Sequence, residues 1–130
     1  MKRSEIEYII NKEKRTVVAI MKGCRHDVYE DIIKTLHNNN ITTFATQSFW
    51  ELEYFISDTY RGKAHCSEED TWDEEIGKRI ARSRMLKKYY KAKIRVFDRV
   101  KNNLTKSLEG ILNSENYAVK RFDYADSNDM

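Results

Sequence analysis

From Asp73 to about Leu112 apolar residues recur every three or four positions, and no proline interrupts them. Ile76, Ile80, Ser83, Tyr90, Ile94, Phe97, Leu104, Leu108 and Ile111 keep the spacing, and Lys87 and Lys101 fill its two gaps. This period belongs to a helix, and over several turns it approximates a heptad seam. A helix of roughly 40 residues is about 60 Å long at 1.5 Å per residue. A chain of 130 residues fits one domain and cannot cover that length by itself. Either the helix breaks near Asn102-Asn103, or a second chain covers the remainder. The second option predicts a homo-oligomer built through the long helix.

Charge is ordered along the same segment. Glu68, Glu69, Asp70, Asp73, Glu74 and Glu75 precede and open it. Eleven bases follow from Lys78 to Lys101 against one acid, Asp98. Acids first and bases later complement the helix dipole. The charged fraction of 35% requires long solvated helical faces. The net charge of +3 is too small to argue for nucleic acid on its own. No apolar run approaches a membrane span. "MKRSEIEYII" lacks an extended apolar signal region, so a cytoplasmic protein is expected. Cys24 and Cys66 are too few for a disulfide framework and read as reduced thiols.

The first half reads as strand and helix. "RTVVAIM", Arg15 to Met21, is a β-branched run that stops at Lys22-Gly23, as a buried strand would. Asp27 and Glu30 have capping-box spacing, so a helix is expected over about 27–38. Val28, Ile32, Ile33 and Leu36 supply its apolar stripe, and Asn38 to Asn40 suit its end. Ile41 to Thr46 resembles a strand. Over 47–58 helical and strand periods both fit, with strand favoured from about Glu53. Alternation is cleaner in "YRGKAHC". Tyr60, Gly62, Ala64 and Cys66 share a small apolar face on which a helix can pack. Arg61, Lys63 and His65 share the other. The expected architecture is α+β: one domain, a small antiparallel sheet over 1–66 with one short helix, a long C-terminal helix over 73–112, and a fraying tail over 123–130.

Three kinds of chemistry are available. The first is the handover from strand to helix. Ser67 or Asp70 can cap the helix, and helix N-termini attract anions. Six acids at the same place oppose a phosphate and satisfy the dipole instead. As a ligand site, Arg61, Lys63 and His65 would reach phosphates, Trp72 would stack on a base, and acids such as Asp70 would accept from ribose hydroxyls or an amine. Arg82 and Arg84 would reach a second phosphate. No Walker loop or dinucleotide fingerprint supports this. The second is zinc at Cys24, His26, His65 and Cys66, but His65 and Cys66 are neighbours on a strand and point to opposite faces. No metal or other cofactor is therefore expected. The third is the basic helix, which can follow a nucleic-acid backbone, with Tyr89, Tyr90 and Phe97 stacking on bases. Tyr90 and Phe97 fall on the seam, which favours packing. Catalysis fits worst, because no serine sits in a nucleophile elbow and Cys66 looks packed rather than poised.

A strand with "GKAHC", then "SEEDTWDEEIGKRIARSR" opening a long helix, resembles the phage-encoded Thoeris anti-defence sponges. The likeness covers roughly Tyr60 to Arg84 and the strand-first, helix-last layout. It implies a non-enzymatic counter-defence protein that holds a cyclic ADP-ribose signal without cleaving it. It also implies an oligomer with pockets at or near subunit contacts, in the cytoplasm of an infected bacterium. Trp72, Arg82 and Arg84 are the positions such a ligand would use. "DVYEDIIKTLHNNN" and "FWELEYF" have no counterpart in that pattern. Two other functions fit the same residues: a direct protein inhibitor of a bacterial defence nuclease, and a basic nucleic-acid-binding accessory protein.

Overall fold

The computed structural model of the protein describes residues 6–41 and 56–128. β1 (Ile6–Asn11) and β2 (Thr16–Met21) form an antiparallel hairpin, paired from Ile6 with Met21 to Asn11 with Thr16. Its turn is closed by the Arg15 amide donating to the Lys12 carbonyl at 3.2 Å. The Lys14 amide donates to Asn11 Oδ1 at 3.0 Å. β3 (Tyr60–His65) adds antiparallel to β2, giving the order β1-β2-β3. The α+β fold expected from the sequence is therefore present. β1 was not anticipated, because its adjacent Ile9 and Ile10 spoil the alternation that marks a strand.

α1 (Cys24–Asn38) begins three residues before the expected Asp27. Gly23 is its N-cap, left-handed at φ 74°, with no side-chain cap. Asp27 lies instead in the first turn, where its charge still complements the helix dipole. Cys24, Val28, Ile32 and Leu36 are buried along one stripe. The asparagines end the helix as expected, with Asn40 left-handed at φ 58°. Beyond Ile41, the strand expected over 41–46 lies outside the described residues, as does most of the ambiguous 47–58 stretch.

α2 (Glu74–Ser127) is a helix of 54 residues. Its N-terminus is capped by Asp73, whose Oδ1 accepts the Ile76 amide at 3.1 Å, and not by Ser67 or Asp70. Of the two alternatives, a break near Asn102-Asn103 is absent, and the helix runs on through 123–127. Polar residues beyond that point are absorbed by back-bonding: Thr105 Oγ1 donates to the Lys101 carbonyl at 2.9 Å, and Ser107 Oγ to the Asn103 carbonyl at 3.2 Å. Among the described residues, no helix is long and apolar enough to cross a membrane.

The chain parts into two compact units, 1–97 and 98–130. In the first, Val17, Ala19 and Met21 of β2 meet a core that includes Cys24, Val28 and Ile32 of α1 and Ala81, Met85 and Tyr89 of α2. The buried face of α2 lies on nearly the opposite side of the helix from the expected seam. Ala81, Met85, Tyr89, Ala92 and Val96 are buried, while Ile76, Ile80, Tyr90 and Ile94 are exposed. The cause is close approach at the sheet. A Cβ on Gly62 would collide with the Ala81 carbonyl oxygen and the Met85 amide nitrogen. A Cβ on Gly77 would lie 2.8 Å from Val17 Cγ2. Helix and sheet can meet this closely only where glycines face them, so the small-residue face turns inward.

Candidate functional site

The edge of β3 explains two of the basic residues. Among the described residues β3 has a partner on only one side, so alternate carbonyls point away from that pairing. Arg84 Nη1 donates to the Lys63 carbonyl at 2.7 Å, and Lys88 Nζ to the Arg61 carbonyl at 3.0 Å. These side chains reach across from α2 and cover the edge. Such cover discourages pairing with another strand.

At the far end of β3 the chain turns before α2. Ser67 Oγ donates to Asp70 Oδ2 at 3.1 Å, and the Asp70 amide donates to the Ser67 carbonyl at 3.1 Å. Arg15 fastens this turn to the hairpin. Its Nε donates to the Cys66 carbonyl at 3.4 Å, its Nη2 approaches Cys66 Sγ at 3.3 Å, and Nη2 also donates to the Asp70 carbonyl. The Cys66 amide returns a bond to the Arg15 carbonyl at 2.9 Å. Arg15 itself is left-handed at φ 55°, an uncommon conformation for a residue with a side chain.

Between this turn, the end of the sheet and the first turns of α2 lies a cavity of about 280 Å³. Val17, Ala64, Ile76 and Ile80 give it apolar lining. Trp72 contributes an aromatic ring, and His65, Asp70, Thr71 and Asp73 contribute polar groups. The size is just below the roughly 300 Å³ at which small-molecule pockets begin. It suits one ring system rather than a whole dinucleotide.

The structure thus brings together His65, Asp70 and Trp72 of the seven expected site residues. The other four, Arg61, Lys63, Arg82 and Arg84, are not among the lining residues. Arg61 and Lys63 are exposed and alternate with Gly62 and Ala64, which face α2. Arg84 is engaged at the strand edge, and Arg82 is half-buried. The residue that sequence reasoning missed is Arg15. Its one signal was position, as the base that enters β2.

The basic helix is also partly engaged within the chain. Of the eleven bases, Lys78 pairs with Glu74 and Glu75, Lys93 with Asp31 and Lys101 with Asp98, while Arg84 and Lys88 hold carbonyls. Tyr89 is fully buried rather than available for stacking. Burial and the nearby Asp27 carboxylate raise its hydroxyl well above the usual phenol range.

Cys24 is buried, and burial followed by the Asp27 charge pushes its thiol up to about 11. It is therefore a neutral thiol near pH 7, unsuited to be a nucleophile. Among the described residues, no three histidine, cysteine, aspartate or glutamate side chains converge on a possible metal position.

The chain matches no family model, no curated protein and no solved structure.

Proposed function

We propose that the protein is a non-enzymatic binder of a nucleotide-type signal, whose base enters the cavity beside Trp72. The carrying observation is the convergence of Trp72, Asp70, Asp73 and His65 around an apolar lining of ring size. An aromatic ring supports a base by stacking, worth about 1–3 kcal/mol per base. A carboxylate accepts from an exocyclic amine, as Asp70 or Asp73 would here. No lysine or arginine is among the lining residues, so the phosphates would remain outside. In biological terms this is the phage-encoded, cytoplasmic counter-defence sponge implied by the resemblance, holding a cyclic ADP-ribose-type signal intact.

The test is thermal unfolding of the purified chain against cyclic ADP-ribose isomers and cyclic dinucleotides. A ligand at a hundred times its dissociation constant adds about 2.7 kcal/mol to stability. The expected result is a rise of several degrees for one ligand class, abolished by Trp72→Ala. No rise with any ligand, or a rise that Trp72→Ala leaves intact, would overturn the assignment. A steeply salt-dependent shift of nucleic acid would favour the accessory-protein reading. Capture of a single host nuclease with indifference to nucleotides would favour the inhibitor reading.

A further inference from the structure

The unit formed by 98–130 is helical from Asp98 to Ser127, and a single helix has nothing of its own to pack against. Its apolar residues are nonetheless ordered. Leu104, Leu108, Ile111, Ala118, Phe122 and Ala125 follow strictly alternating steps of four and three, with Glu115 in the one intervening place and Lys101 one step before Leu104. Leu108 is 55% exposed, Ile111 65% and Phe122 68%. Leu112 and Val119 border the same stripe and are also exposed. A strict repeat of 3.5 residues keeps one face turned to a partner helix along its whole length.

We propose that this segment pairs with the same segment of a second copy of the chain, in antiparallel orientation. The two charged seam residues decide the occupant and its direction. Lys101 and Glu115 are fourteen residues apart and hold the same heptad position. Parallel copies would set Lys101 against Lys101 and Glu115 against Glu115. Antiparallel copies with Leu108 opposite the partner's Ile111 bring Lys101 within about 4.5 Å, along the axis, of the partner's Glu115. The two-fold axis makes this contact twice, so the face complements itself. Glu115 has no ion-pair partner among the described residues. Among the described residues, the one ion pair of Lys101 is the exposed contact with Asp98 on its own helix, at 2.8 Å. Such contacts contribute little and are readily shared. This proposal is independent of the ligand reading.

The experiment is sedimentation equilibrium of the full chain and three variants: Lys101→Glu, Glu115→Lys, and both together. The wild type should self-associate at micromolar concentration. Each single variant should weaken association about tenfold, because it sets like charges together twice. The double variant should return to within about threefold of wild type. Loss of the Asp98 contact is common to Lys101→Glu and the double variant, so recovery in the double reports contact between copies. Parallel pairing would leave all four proteins alike, which would overturn the proposal. So would a monomeric wild type, or a double variant as weak as the singles.

Discussion

Replacing Gly62 by alanine tests the packing that positions the cavity. The added methyl would meet the Ala81 carbonyl oxygen and the Met85 amide nitrogen inside van der Waals contact, and would lie 3.0 Å from Met85 Cα. All three are backbone atoms of α2. No side-chain rotation can relieve them, so the helix must lift from the sheet. Overpacking costs about 1–3 kcal/mol when side chains can shift, and this site falls at the upper end. Lifting α2 also loosens Ala81, Met85 and Tyr89, all fully buried. We expect a loss of about 3 kcal/mol. In a unit of this size each kcal/mol moves Tm by about 4–8 °C, so Tm should fall by at least 10 °C or so. Near-UV circular dichroism is the suitable readout, because the edge-on Tyr60–Tyr89 pair, with centroids 6.0 Å apart, lies in the first unit, whereas Tyr117 and Tyr124 of the second are exposed. A variant within about 2 °C of wild type would show that α2 does not lie against Gly62.

Gly110 is the matching control: a Cβ there meets nothing within 4 Å, so Gly110→Ala should stabilise the second unit's helix by about 1 kcal/mol, read from far-UV melting. Arg15→Ala removes the fastening of the 66–70 turn and should cost about 1–2 kcal/mol, with protease cleavage at that turn becoming faster. Cys24 should resist a thiol reagent at pH 7 while half-exposed Cys66 reacts. The folded Cys24 thiol is raised to about 11 from 9.0, so its contribution to stability is complete below pH 9 and is lost as pH rises towards 11. Tm should therefore fall over that window, and Cys24→Ala should flatten the fall.

Strand alternation carried most of what could be read of the sheet. β2 and β3 were legible because Gly62 and Ala64 alternate with Arg61 and Lys63 on β3, while β2 is a bounded β-branched run. β1 was not legible, since paired Ile9 and Ile10 put apolar groups on both faces, and both are exposed. The long helix was legible as a helix, but its inward face was not. Ile76, Ile80, Tyr90 and Ile94 look more hydrophobic than Gly77, Ala81 and Ala92, yet the sheet selects small residues because Gly62 allows backbone contact. Large apolar side chains then remain outside, where a partner can use them. In the candidate site, local sequence brought His65, Asp70 and Trp72 together because turn 66–73 is short. It could not reveal that Arg84 and Lys88 serve a strand edge, which depends on where α2 crosses β3. Nor could it reveal Arg15, whose bond to Cys66 spans 51 positions and starts from a left-handed residue.

The proposed function requires that a nucleotide-type signal be held beside Trp72 and not consumed. The most direct measurement incubates the protein with cyclic ADP-ribose isomers, removes unbound ligand by gel filtration, denatures the complex by heat and identifies the released molecule by mass spectrometry. Stoichiometric recovery of one unchanged isomer is expected from wild type and none from Trp72→Ala. Recovery of a cleaved product, or of no ligand from wild type, would contradict it.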